Sequence, residues 1–330
     1  MKRMFILYTI EQNNIQYDYL LFKIISGQYI GFAMKLKADW IPWLHAYRKR
    51  ETDLIFQKCP DRVFQCGCEL GAGDGYQSTL LSRYIVSLIS TEINPRLMPG
   101  KSRDRIEYRI CSAEAALSSF IDRNFDIVFS SNLLEHVVDP LSVLSGIHRV
   151  LKDDGIMVSV MPGPFWKTCQ MLLYVPAHVL VTIERITKSR GIKNMLHELQ
   201  AIAHETWQGV LTGANATFSM NYELELQNGN NPQVKTAKPS FFKSLILPLP
   251  HGVSKSHWDE FKLFRKKHWR DLFNRAGFVC ISVRKGPAAS GYALGWNHLA
   301  MLCEKLGMAS ENIYFAAKKN YVCRYREYFK

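Results

Sequence analysis

Three glycines at every second position constrain this chain more than any other feature: Gly71, Gly73 and Gly75 in C-E-L-G-A-G-D-G-Y-Q-S, Cys68–Ser78. They follow an apolar run, Val63–Leu70, that reads as a buried strand. Glycine permits the positive φ angles of a tight strand-to-helix turn and leaves room for a ligand against the backbone. A dinucleotide-binding loop spaces its glycines G-x-G-x-x-G, because its pyrophosphate must reach a helix N-terminus. The third glycine would then fall at Tyr76. The spacing disfavours a dinucleotide, and with it a nicotinamide oxidoreductase.

From Val63 onward strand-like runs alternate with helical ones, which predicts an α/β fold with a mostly parallel sheet and helices on both faces. The strands are Val63–Leu70, Ile85–Glu92, Ile106–Cys111, Phe125–Ser131 and Ile156–Met161, with helices at Gln77–Arg83, Ala113–Ile121 and Pro140–Leu151. The last helix is the best signalled. Asp139 suits its cap and Pro140 its first position, and Leu141, Leu144, Ile147 and Leu151 repeat at helical spacing. Lys152-Asp153-Asp154-Gly155 reads as the turn into the fifth strand. After Pro162 the alternation stops. It resumes with a helix at Lys267–Ala276, a strand at Phe278–Arg284, a helix around Trp296–Leu306 and a strand at Ile313–Lys318. The expected organisation is an N-terminal cap (1–60), a ligand-binding core (61–162), a large insertion after the fifth strand (163–265) and a C-terminal completion of the sheet (266–330).

The second strand ends in S-T-E, so Glu92 stands 21 residues beyond Gly71. A carboxylate there can accept hydrogen bonds from the ribose hydroxyls of an adenosine. Alone it would read equally well as a surface acid; the glycine loop one strand away tips the reading towards a ligand. Together these residues resemble class I S-adenosylmethionine-dependent methyltransferases, of the methyltransferase-11-like kind. The family's first motif, E-x-G-x-G-x-G, is matched by Glu69, Gly71, Gly73 and Gly75, with Ala72 inside it, and its ribose acid by Glu92. Its adenine-contacting segment is similar to Cys111-Ser112-Ala113-Glu114, although relatives often carry an aspartate where Ser112 stands. Its fourth motif is matched by F-D-I-V-F-S-S-N-L-L-E-H-V, Phe125–Val137, which includes Ser131 and Asn132. The resemblance covers residues 60–162. It implies a Rossmann-like sheet of seven strands closed by an antiparallel hairpin. It also implies S-adenosylmethionine as cofactor, held by Glu69, Gly71, Ala72, Gly73, Gly75, Glu92, Ser112, Ala113, Ser131 and Asn132.

Composition narrows the partners. With 42 Lys+Arg against 29 Asp+Glu the formal net charge is +13. The positive residues fall in short clusters, at Arg48–Arg50, Lys188–Lys193, Lys262–Lys267 and Lys318–Lys330, without the interleaved aromatics of a single-strand platform. They read as a solvated basic face, and no nucleic-acid partner is expected. The eight cysteines form no C-x-x-C pair, which fits reduced thiols in a cytoplasmic protein better than a disulfide framework. No metal-ligand spacing appears, so no metal is expected. The apolar start M-K-R-M-F-I-L-Y-T-I ends at Glu11 with no small-residue cleavage site, and reads as part of the mature chain.

Methyl transfer to an alcohol needs a group to take the proton, and His136, five residues past the fourth strand, is the first candidate. It reads equally as a histidine that ties the loop before Asp139. His251 and His257, in P-L-P-H-G-V-S-K-S-H-W-D-E, are further candidates for a turn reaching over the site, or members of a plain loop. The H-G…W-D-E…W-R-D-L-F-N-R-A-G-F series and K-G-P-A-A-S-G-Y-A-L-G are similar to bacterial methyltransferases of surface-polysaccharide synthesis; where those relatives place an asparagine after the H-G pair, Ser256 stands here. This implies a sugar or lipid-linked glycan as acceptor. A methyltransferase of another small molecule and a catalytically inactive cofactor-binding module are the alternatives. The apolar segment Cys169–Ile183, broken by Pro176 and His178 and followed by Arg185, Lys188, Arg190 and Lys193, is too short to span a bilayer. It is expected either to lie peripherally on the inner membrane face or to form a lid over the acceptor.

Overall fold

Seven segments of the chain pair into a single sheet: β1 (Phe64–Leu70), β2 (Ile85–Glu92), β3 (Ile106–Ile110), β4 (Phe125–Ser131), β5 (Leu151–Pro162), β6 (Phe278–Lys285) and β7 (Glu311–Lys318). The computed structural model describes residues 40–99, 105–188, 256–289 and 297–330, with residues 102, 248 and 254. The strand order is β3-β2-β1-β4-β5-β7-β6. The first five strands run parallel, and β7 is antiparallel to both of its neighbours. This is the expected Rossmann-like sheet with its antiparallel closing hairpin.

The helices are α1 (Trp40–Phe56), α2 (Tyr76–Leu81), α3 (Ala113–Ser119), α4 (Pro140–Val150), α5 (Pro164–Lys188), α6 (His257–Leu263), α7 (Lys266–Arg275), α8 (Asn297–Lys305) and α9 (Arg326–Phe329). Side chains alternate across a strand, so each central strand feeds two cores. Val128 of β4 and Met157 of β5 meet Leu117 of α3, Leu144 and Ile147 of α4 and Trp269 and Phe273 of α7 on one face. Ile127 and Phe129 of β4 and Val158 of β5 meet Phe56 of α1, Leu81 of α2 and Phe329 of α9 on the other. Burial on both faces is why these strands read as nearly unbroken apolar runs.

Three expectations are corrected. α4 is capped by Asp139, which accepts from the amides of Leu141 and Ser142, but it ends at Val150 and buries Val143, Leu144, Ile147 and Val150. Leu151 already has extended backbone and opens β5. Lys152–Gly155 is therefore no turn: it lies within β5, where the pairing with β4 shifts register between Phe125 and Ile127. Its charges are held by neighbouring strands, Lys152 Nζ donating to Asp126 Oδ1 at 2.9 Å and Lys318 Nζ to Asp153 Oδ1 at 3.1 Å. Finally, Pro176 does not break the Cys169–Ile183 segment, which lies inside the single helix α5. Among the described residues no helix is long and apolar enough to cross a membrane.

Candidate functional site

Chain order reverses direction in the sheet at β1: β2 and β3 lie to one side of it, β4 and β5 to the other. Ligands of open α/β sheets bind at such a switch point, beyond the carboxyl ends of the strands. The loops that meet there are Gly71–Gly75 after β1 and Asn132–Leu133 after β4. They touch, since a Cβ on Gly71 would stand 3.1 Å from Leu133 Cδ1.

The glycine loop is held by backbone. Gly71 N and Ala72 N both donate to Thr91 O at 2.9 Å, and Gly71, Gly73 and Gly75 all take positive φ. Nothing lies within 4 Å of the place a Cβ on Gly73 would occupy, whereas one on Gly75 would collide with Pro99 Cγ at 2.7 Å and Tyr108 Oη at 2.8 Å. Gly75 is thus required by the fold, and Gly73 leaves open space in front of the loop. Glu92 accepts from Gly73 N through Oε2 and from Asn94 N through Oε1, each at 2.9 Å. A carboxylate oxygen has a second lone pair, so both oxygens retain capacity for ligand hydroxyls. Glu69 is turned inward. Its Oε2 accepts from Ser78 Oγ at 2.5 Å and Ser90 Oγ at 2.8 Å, tying α2 to β2 beneath the loop. Burial pushes its carboxyl up to about 7, with the two serine hydroxyls opposing. Ser112 caps α3 by accepting from Ala115 N at 3.2 Å, and Ala113 is the buried first residue of that helix.

Past β4 the site is built from side chains. Ser131 Oγ donates to Glu51 Oε1 at 3.1 Å and accepts from Arg48 Nη1 at 2.7 Å. Asn132 takes φ 49°, which asparagine tolerates, and its Nδ2 donates to Glu311 Oε1 at 2.7 Å. Arg48 Nη1 also donates to Glu51 Oε2 at 2.5 Å and lies 3.5 Å from Glu311 Oε1. Gln77 Nε2 donates to Glu51 Oε1 at 2.6 Å, and His45 Nε2 meets Asp74 Oδ2 at 2.6 Å while its ring stacks on Tyr76. α1 therefore lies across the carboxyl edge of the sheet and contacts the glycine loop, the β4 end and the start of β7. Burial opposes the charge on Arg48, but Glu51 and Glu311 outweigh it and raise its proton affinity. Burial, followed by the Glu51 charge, holds the Glu311 carboxyl well above the usual range.

The candidate histidines divide. His136 ends the short 3₁₀ turn Leu134–His136, with Nε2 3.9 Å from Glu135 Oε1, and burial lowers its proton affinity. The neighbouring Glu135 is fully buried and its carboxyl is pushed up to about 8. His257 opens α6 and belongs to the contact between α6 and α5. Its Nδ1 is 3.8 Å from Glu260 Oε2, and the buried Lys167 Nζ pairs with that carboxylate at 2.7 Å. Burial, then the Lys167 charge, lowers the proton affinity of His257. His251 lies outside the described residues. Sequence reasoning missed Arg48, Glu51 and Glu311 altogether. Arg48–Arg50 reads as a solvated basic cluster, yet Arg48 turns inward, while Lys49 and Arg50 reach outward, to Asp53 at 2.8 Å and Glu304 at 2.7 Å.

Residues 68–159 match the family model described as "Methyltransferase domain". Over 96 residues the chain is 31% identical to the ubiquinone biosynthesis O-methyltransferase of Cereibacter sphaeroides (strain ATCC 17029), which covers 27% of this chain and 38% of that protein. Over 103 residues it is 28% identical to the mitochondrial arginine-hydroxylase NDUFAF5 of Danio rerio, covering 31% of this chain and 32% of that one. The chain thus spans well under half the length of these curated relatives in what it shares with them. A solved S-adenosylmethionine dependent methyltransferase from Mesorhizobium loti aligns over 82% of this chain and 99% of its own, at 11% identity and a TM-score of 0.40.

Proposed function

We propose that this protein transfers a methyl group to a hydroxyl of a sugar or lipid-linked glycan. The cofactor of the matched domain is S-adenosylmethionine, which when bound supplies a methyl activated by a sulfonium. The observation that carries the reading is the open cradle in front of Gly73, with Glu92 fixed beside it by two backbone amides. Gly71–Gly75 would hold the methionine part of the donor, Glu92 the ribose, and Ser112–Ala113 the adenine side. An in-line displacement needs alignment and a dry site more than covalent help. α1, laid over the carboxyl edge, supports the exclusion of water. His136, kept neutral by burial, is suited to take the acceptor's proton, with His251 and His257 as the other candidates from the sequence.

The hydroxyl acceptor is supported by the likeness to O-methyltransferases, and the glycan by the likeness of the C-terminal half to methyltransferases of surface-polysaccharide synthesis. Labelled methyl donor offered to polar metabolites, nucleotide sugars and membrane lipids tests it; label is expected in a sugar-bearing fraction. Label confined to a sugar-free metabolite would move the acceptor to another small molecule. A second reading is a donor-binding module without transfer; one relative of the shared segment is named as a hydroxylase and not as a methyltransferase. It predicts tight donor binding with no label in any fraction.

We also propose peripheral contact with the inner membrane face through α5. Leu172, Val175, Val179 and Ile183 recur at helical spacing on this helix and are 70%, 41%, 50% and 49% exposed. An exposed apolar stripe with a basic flank suits a lipid interface.

A further inference from the structure

The network at the carboxyl end of β4 and the amino end of β7 holds two carboxylates and one guanidinium. Glu51 and Glu311 are both buried, at 0% and 4% exposure, and Arg48 lies within 3.5 Å of each. Gln77, Ser131 and Asn132 add neutral donors, and Glu311 Oε2 accepts no hydrogen bond among the described residues. With both carboxylates ionised the cluster carries one uncompensated negative charge. Burying such a charge is costly unless it is protonated or paired. Its position is the informative part. Ser131 and Asn132, which it holds, form the β4 side of the donor cleft.

We infer that Glu311, set beside Glu51, is the cleft's counter-charge: it holds a proton while the cleft is empty or occupied by a neutral ligand, and gives it up when a cation binds. The inference rests on the cofactor reading above. S-adenosylmethionine carries a sulfonium and its demethylated product, S-adenosylhomocysteine, a neutral thioether, so the pair would distinguish donor from spent product by charge. On donor binding the O–H bond of Glu311 breaks and its proton passes to solvent. Once the methyl has left, the charge is gone and Glu311 takes back one proton. The groups that face Glu311 are Tyr47, Arg48 and Glu51 from α1 and Asn132 after β4, with the Gly286 amide at the end of β6 donating to its backbone carbonyl. Among these, Tyr47 is kept neutral, mainly by burial and next by the Glu311 charge. Glu135 faces Arg48 as well, which makes a control necessary. A unit charge at roughly 8 Å, at an effective dielectric of about 20, changes a proton affinity about thirtyfold.

Linked deprotonation makes donor affinity rise with pH while product affinity stays flat. Calorimetry on the full chain with S-adenosylmethionine and S-adenosylhomocysteine, between about pH 6 and 9 in buffers of different ionisation heat, tests this. Wild type should release up to about one proton more than Glu311→Gln on binding the donor, and no more than the variant on binding the product. The donor's own amino group contributes equally to both chains and drops out of the difference. Glu51→Gln removes the like charge beside Glu311, so its release window should move to lower pH; this variant also serves if Glu311→Gln fails to fold. Equal proton release by wild type and Glu311→Gln, or by donor and product, overturns the inference while leaving the cofactor reading intact. Absence of binding heat with either ligand overturns both.

Discussion

The two sides of the cleft are built by different means. On the donor side, Gly71–Gly75 and Glu92 come from a short stretch of chain and are joined by backbone amides: Gly71 and Ala72 to Thr91, Gly73 and Asn94 to Glu92. On the β4 side, Arg48, Ser131, Asn132 and Glu311 come from three distant segments and meet through side chains. A backbone-built site tolerates change at most positions and fails at the few that face the ligand. A side-chain-built site has no such redundancy, because each member is another's partner.

The largest effect should fall on the β4 side. If His136 takes the acceptor's proton, His136→Ala should lower turnover of the labelled fraction about 10²–10⁴-fold with donor affinity unchanged. Equal turnover in wild type and variant would leave His136 as the histidine that ties the loop. The next prediction concerns Glu69, the leading acid of the glycine motif, which the structure turns inward. Its folded-state proton affinity is raised, to about 7, so the folded protein binds more protons than the unfolded chain between that value and the ordinary carboxylate range. Stability from this group is thus complete at low pH and lost as pH rises through 7. Glu69→Gln, which keeps an acceptor for the serine hydroxyls, should be more stable than wild type at pH 8 by on the order of 2–3 kcal/mol, the gap closing by about pH 4. Urea melts at both pH values measure it. A gap of the opposite sign at pH 8 would place Glu69 in a stabilising ionised role.

The contrast between the two sides also sets how much the sequence discloses. The strands announce themselves because parallel strands buried on both faces must be apolar throughout, and the glycine loop because its spacing is a local property. The register shift in β5 was hidden, since Lys152 and Asp153 read as turn residues until their partners Asp126 and Lys318 are known. The sequence of α5 reads as broken at Pro176, although a proline forfeits one helical hydrogen bond and packing can carry the helix through. Glu51 and Glu311 carried no signal of their own. An acid in a helix full of charge and an acid opening a strand look solvent-facing, and only the fold brings the two together against Arg48.

On the donor side the predicted losses are smaller and local. Glu92→Ala removes the hydrogen bonds to two backbone amides and, in the proposed binding mode, those to the ribose. Charged hydrogen bonds are worth about 1.5–3 kcal/mol, which corresponds to roughly ten- to hundredfold weaker S-adenosylmethionine binding. Gly73→Val should weaken binding at least as much by filling the open space in front of the loop, with added strain from its φ of 56°. Calorimetry on both variants checks the pair. Affinity that survives both changes would remove the cofactor from this loop.

The smallest expected effect per residue concerns where the β4 side faces. α5 follows β5 from Pro164, at the same carboxyl edge, and carries the exposed stripe of Leu172, Val175, Val179 and Ile183. If that stripe rests on lipid, the β4 side opens towards a membrane while the glycine-loop side faces solution. Vesicles containing anionic phosphatidylglycerol should then sediment the protein, with attachment strengthened by about 1 kcal/mol, roughly fivefold, for each engaged Lys or Arg, and weakened by salt. Leu172→Asp and Val179→Asp, on the exposed stripe, should each release the protein, whereas Leu173→Asp, on a half-buried position beside it, should act mainly on stability. A lid over the acceptor predicts the reverse pattern: protein left in the supernatant at low salt, and stripe variants that lose acceptor turnover with unchanged donor affinity. Sedimentation of the wild type beside these three variants separates a membrane-facing helix from a lid, because only the former ties apolar exposure to lipid charge.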